Sequence, residues 1–237
     1  MQATRGTPLV VAMVALTVTT GMIEAVSFLG LGQVFTAMQT GNLLFLGFAL
    51  AGEGGLSAAA SGLSLGAFAV GAVLGARLEA KAYAVRRRWF LGGLLAEAVL
   101  LGGAALVAWG SDRSGEPLTT HRYALITLMA LAMGLRNVTT LRAGVPDLPT
   151  TVETRALTAL LNGPPVGRTP GAGEAVHPAL RRTASVAAMF TGGLVGAWLL
   201  HEGRHAPGVL LVAAVVVLAV ALVYGVAPRR RPPEAES

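Results

Sequence analysis

Residues 34–51 read VFTAMQTGNLLFLGFALA, an apolar run interrupted at Gln39-Thr40-Gly41-Asn42. A bilayer core about 30 Å thick needs roughly 20 apolar residues as a helix. The middle of this run is polar. Backbone that leaves the helix at membrane depth is tolerated only when buried in protein or facing a water-filled cavity. The stretch is therefore expected to dip into the membrane and return. Gly41 frees the backbone to depart from helix, while Thr40 and Asn42 are expected to cap a helix resuming at Leu43. The N-terminus of such a half-helix offers N–H groups and a partial positive charge to an anion or polar substrate. The alternative is a polar kink satisfied by its neighbours.

The rest of the chain supplies the bilayer context. Of 237 residues, 54% are apolar and 13% charged, against about 25% charged in a soluble domain. That excludes a water-soluble globule. The 31 glycines suit helices packed through small side chains. Six stretches are long and apolar enough to span: about 9–31, 58–78, 90–110, 123–141, 184–201 and 207–227. Arg5 before the first resembles a secretory signal, but the run is too long and lacks a small-residue cleavage site. It reads as a retained span. A second broken segment, 150–162 (TTVETRALTALLN), carries Glu153 and Arg155. With no cysteine there is no disulfide framework and no thiolate site.

Positive charge sets the expected orientation. If six segments cross and the two broken ones re-enter, 15 Lys and Arg face one side and 3 the other; if all eight cross, the tally is about 10 against 8. The positive-inside rule selects the first arrangement and places both termini in the cytoplasm. Arg86-Arg87-Arg88 and Arg229-Arg230-Arg231 then read as cytoplasmic anchors that attract anionic lipid headgroups, with no nucleic-acid partner expected.

The two halves echo one another. Gly21-Met-Ile-Glu24 recurs as Gly134-Leu-Arg-Asn137, Thr40-Gly41-Asn42 as Thr154-Arg155-Ala156, and Phe68-x-x-Gly71 as Phe190-x-x-Gly193, at offsets of 113, 114 and 122. The repeats are read as 1–110 and 111–228, followed by a basic tail, 229–237. Three crossings per half force the second copy to lie inverted, a layout shared by many secondary transporters. A duplicated but merely structural bundle is the other reading.

At these motifs the chain resembles the YoaK family of bacterial membrane proteins, a family of unknown function. The shared pattern is Gly21-x-x-Glu24-Ala25, Phe35 before Thr40-Gly41-Asn42, and Phe68-x-x-Gly71-x-x-x-Gly75. The chain departs from it in carrying Glu24 where the family usually has Asp, Arg136 where it usually has Gln, and Arg155 where it usually has Gly. The resemblance covers most of residues 9–227 and implies an inner-membrane permease without specifying its cargo.

Ionisable groups inside spans cost roughly 2.5–3.5 kcal/mol on insertion scales and are functional candidates by default. Glu24 is the first candidate, as a proton carrier; its structural alternative is a hydrogen-bonded lock between helices. Thr40, Gly41 and Asn42, with Asn137 and Thr154 as counterparts, complete the expected substrate site. Glu97, Arg136, Glu153 and Arg155 are secondary candidates. Glu97 has no counterpart in the second half. A Glu24–Arg136 pair would have to bridge opposite halves of the bilayer, so Arg136 is expected to snorkel towards the cytoplasmic interface. Gly71-x-x-x-Gly75 and Gly192-x-x-x-Gly196 are expected to be structural. His201-Glu202-Gly203-Arg204-His205 matches a zinc motif but contains Gly203 and abuts Pro207 in an outer turn; it reads as a polar hairpin. His121, on another outer loop, is the nearest further His. No metal, cofactor or catalytic residue is expected.

The expectation is therefore an all-α polytopic transmembrane helix bundle of six spans and two re-entrant helices with an inverted internal repeat. Its expected function is passage of a small molecule or ion through the inner membrane, coupled to protons. Its expected partners are membrane lipids, that cargo and a second copy of the chain in a homo-oligomer. The alternative is a non-transporting structural or lipid-interacting membrane protein.

Overall fold

The computed structural model describes residues 7–82, 86–114, 118–143, 158, 172–202 and 206–226. Among these residues there are seven α-helices and no strand: α1 Thr7–Ala25, α2 Gln39–Leu50, α3 Ala58–Ala82, α4 Arg86–Ser114, α5 Arg122–Ala143, α6 Ala172–His201 and α7 Ala206–Val226. A π-helical turn, Val26–Gly30, extends α1, and a 3-10 turn, Leu118–His121, leads into α5. Six segments are long and apolar enough to cross a membrane: Leu9–Gly30, Ala58–Ala80, Trp89–Ser111, Arg122–Leu141, Leu180–His201 and Ala206–Val226. Their outer faces carry large exposed apolar side chains, among them Val99, Leu106, Phe190, Leu194, Trp198 and Val223. So much apolar surface is far beyond what a soluble monomer exposes and belongs against lipid.

Helix directions follow from which residues meet. A Cβ on Gly192 would strike the Val18 carbonyl, and one on Gly196 would strike Met22 and Ala25. Residue numbers rise together, so α1 and α6 run parallel. Gly71 lies against Leu131 and Gly75 against Leu135 and Val138, which makes α3 and α5 parallel as well. Helix α4 is antiparallel to α5, since Gly93 meets Thr139 and Gly103 meets Leu128. It is antiparallel to α7 too: the two pack along their length, and the start of α4 meets the end of α7, where Phe90 packs on Tyr224 and Leu91 faces Gly225. Helices α1, α4 and α6 thus cross one way and α3, α5 and α7 the other. Helix α1 ends, and α3 begins, on the same face of the bundle. The intervening α2 therefore re-enters, as its sequence predicts.

The pairings also display the inverted repeat. Exchanging α1 with α5, α3 with α6 and α4 with α7 turns the α1–α6 pair into α5–α3 and leaves α4–α7 unchanged. Val18 and Gly21 correspond to Leu131 and Gly134 at the expected offset of 113. Across α3 and α6 the register differs by one residue from the sequence reading. Gly71 and Gly75 match Gly192 and Gly196 at an offset of 121, so Phe68 corresponds to Met189 and not Phe190. The reason is physical: backbone contact at these crossings tolerates only hydrogen at Cα, whereas Phe190 is exposed on the outer surface.

The second expected re-entrant segment, 150–162, with Glu153, Thr154 and Arg155, lies outside the described residues apart from Thr158.

Candidate functional site

Helix α1 carries a buried polar stripe at helical spacing, Thr17, Thr20, Glu24 and Ser27. Thr17 and Thr20 donate their hydroxyl hydrogens to the carbonyls of Met13 and Leu16, four residues back, the usual way such residues are accommodated within a helix. Glu24 and Ser27 reach out to the re-entrant segment. Ser27 Oγ donates to the Val34 carbonyl at 2.6 Å. The Glu24 carboxylate accepts from the Thr36 amide at 3.0 Å, from the Thr36 hydroxyl at 3.1 Å and from the Ala37 amide. Glu24 lies about 9 Å from the Gly30 end of its span, counted at 1.5 Å per residue. The entry to α2 is therefore held at membrane depth.

This arrangement changes the expected role of the break. Helix α2 begins at Gln39, four residues before the predicted Leu43, and its N-cap Met38 makes no side-chain cap bond. Main-chain donors ahead of α2, expected to face a substrate, instead meet the protein's own carboxylate. Asn42 does not cap. Its Oδ1 accepts from the Phe35 amide at 2.9 Å and its Nδ2 donates to the Phe35 carbonyl at 2.6 Å, the two-way exchange of a strand pair made by one side chain. Gln39 and Ser64 complete the group: Gln39 donates to the Thr36 carbonyl, and Ser64 donates to the Phe35 carbonyl. A Cβ on Gly41 would sit 2.7 Å from the Phe35 ring, which is stacked between Phe28 and Phe45 at centroid distances of 4.9 and 5.7 Å. Thr40 is exposed. The four sequence candidates here divide accordingly: Glu24, Gly41 and Asn42 converge on the segment's fold, and Thr40 faces away.

At the turn, Gly32 and Gln33 have φ of 85° and 57°. Arg122, at the start of α5, donates to the Gly32 carbonyl at 3.1 Å and packs where a Cβ on Gly32 would stand. Neither Ser64 nor Arg122 stood out in the sequence, because each gains its meaning only from a distant loop.

Arg136 corrects another expectation. It does not snorkel but is fully buried. Its Nε donates to Glu97 Oε1 at 2.7 Å, Nη2 donates to the same oxygen, and Nη1 donates to the Leu16 carbonyl at 2.8 Å and Thr20 Oγ1 at 2.7 Å. Glu97, which has no counterpart in the second half, is its ion-pair partner. The cluster joins α1, α4 and α5. It sits one turn of α1 from Glu24, and in the other half of the bundle: Glu97 lies about 12 Å along α4 from the Trp89 end of its span. Asn137, next on α5, is half-buried. His121, in the 3-10 turn before α5, has Ser111 Oγ 2.8 Å from its Nδ1.

Comparison with known proteins fits this frame. The family described as "Protein of unknown function (DUF1275)" matches residues 12–223. The chain belongs to this family. It is also similar to the UPF0700 transmembrane protein YoaK of Bacillus subtilis (strain 168), with 29% identity over 149 residues. That match covers 62% of this chain and 63% of the relative's length. No solved structure matches the chain. The DUF1275 match takes in both the re-entrant segment and the Glu97–Arg136 cluster. The chain is thus a multi-pass membrane protein of a transmembrane family whose function is unknown.

Proposed function

We propose that the protein is a permease for a small molecule or ion, coupled to protons through Glu24, and not an enzyme. In this reading residues 31–50 are the moving part. One observation carries it: the entry to the re-entrant helix is fastened to α1 through an ionisable carboxylate. As a carboxylate, Glu24 accepts three hydrogen bonds from Thr36 and Ala37. Once protonated, one oxygen becomes a donor and loses acceptor capacity, which loosens the segment. The freed amides, with Thr40, Gly41 and Asn42, would face the cargo, and Asn137 and Thr154 would serve in the second half. Inverted repeats with discontinuous helices support the reading by analogy; fold does not fix function. The excess of Lys and Arg on one side supports an inner-membrane protein with both termini cytoplasmic. A homo-oligomer in the lipid bilayer belongs to the same proposal.

The test is flux. Vesicles reconstituted with the full chain and supplied in turn with a panel of small solutes and ions should take up protons with at least one of them, and Glu24→Gln should abolish the uptake. Asn42→Ala should slow it by unfastening Phe35. Wild-type vesicles as tight as protein-free ones would sink the proposal and favour the non-transporting, structural or lipid-interacting reading.

A further inference from the structure

Arginine–carboxylate pairs frequently form two parallel bonds, one to each oxygen. The Glu97–Arg136 pair does not. Nε and Nη2 of Arg136 converge on Oε1, and Oε2 is buried with no hydrogen-bond partner among the described residues. Leaving such an acceptor unpaired away from water costs about 1–3 kcal/mol, more for a charged group. Among the described residues the surroundings supply no free donor. On α1, the Thr20 hydroxyl donates its hydrogen to the Leu16 carbonyl while accepting from Arg136, and Glu24 turns to the re-entrant segment. Helix α7 has no charged residue, and its Tyr224 packs on Phe90, seven positions before Glu97 on α4. The charged residues of α3, Arg77, Glu79 and Lys81, cluster near its C-terminal end. The adjacent guanidinium disfavours a metal cation at Oε2. What fits is a small, uncharged hydrogen-bond donor, and buried waters typically satisfy such groups.

We propose that Oε2 of Glu97 accepts a hydrogen bond from a buried water, and that Glu97 with this water forms a second proton-holding position in the half of the bundle opposite Glu24. A proton arriving on the water, as hydronium, passes to Oε2: an O–H bond forms on the carboxyl and one breaks on the hydronium, leaving neutral water. Arg136 retains the Leu16 carbonyl and Thr20 throughout. The purpose of the position rests on the permease reading, but its existence does not.

Infrared difference spectra of the full chain in lipid nanodiscs, between neutral and acid buffer and repeated in heavy water, test it. Among the carboxyl carbonyl bands that shift in heavy water, one should be lost in Glu24→Gln and a different one in Glu97→Gln. A Glu97→Gln spectrum identical to wild type overturns the proposal. Should Glu97→Gln fail to fold, Glu97→Asp keeps the acid and shortens its reach, so the band should move; an unmoved band overturns the proposal equally. Proton uptake by vesicles separates the two claims. A Glu97 band without wild-type uptake refutes the permease and leaves the water position standing, whereas uptake without a Glu97 band refutes the position alone.

Discussion

Glu24 and Glu97 are both buried carboxyls on membrane-spanning helices, yet their contacts hold different parts of the molecule. Glu97 meets a guanidinium that itself binds a third helix, so its contacts join one long helix to another. Glu24 meets main-chain amides of a segment anchored at its turn by Arg122 and at its base by Asn42 and Ser64. Losing the first set would separate helices that carry the bundle. Losing the second would free a short loop and twelve-residue helix while the six spans stay in place. The contrast marks a fixed centre and a releasable flank within one helix turn of each other.

The contrast breaks most easily at Arg136. Arg136→Met should lower stability by roughly 3–5 kcal/mol, because it removes one partner of a buried ion pair and the bonds that tie α5 to α1. Unfolding in detergent micelles would measure this, and the double variant Glu97→Leu with Arg136→Met should recover much of it. A single variant as stable as wild type would mean that the pair contributes nothing to the fixed centre. Next comes Gly192→Ala, which drives a methyl into the Val18 carbonyl; overpacking of this kind costs about 1–3 kcal/mol. At the flank, Glu24→Gln should cost about 1–2 kcal/mol, since hydrogen bonds to a charged group exceed those to its neutral counterpart. Its clearer signature is hydrogen exchange. Protection of the Thr36 and Ala37 amides, corrected for intrinsic rate, should fall on acidification in wild type and be flat in Glu24→Gln. Equal acid response in both would remove Glu24 as the fastening. The smallest effect is expected at Gly47→Ala, where a Cβ meets nothing within 4 Å; a gain of about 0.5–1 kcal/mol is the helix preference for alanine.

Much of the frame was legible in the sequence. Hydrophobic length located the six spans, and the Gln39–Asn42 break located the re-entrant helix, because both are properties of contiguous residues. The fastening was only half legible. Gly41 and Asn42 announced a break, but whether Asn42 caps its own helix or grips Phe35 depends on how the loop folds back. The Glu97–Arg136 pair was missed although a signal existed. Glu97 lies as far before the end of its span at Ser111 as Arg136 lies beyond the start of its own at Arg122. Antiparallel neighbours joined by a short turn place such residues at equal depth. The one-residue register difference between Phe68 and Phe190 has a related cause. Matching aromatic letters favoured one alignment, whereas the backbones align the glycines that let them touch.

The crossings at Gly21–Gly192 and Gly71–Gly134 each take one helix from either half of the duplicated chain. Neither half can complete its own tightest joint. A chain severed between Ser114 and Leu118 and produced as two polypeptides should therefore reassemble in the membrane only when both are made together. The same interlocking suits an ancestor in which two identical short chains, inserted in opposite senses, clasped one another before a gene fusion made the union permanent.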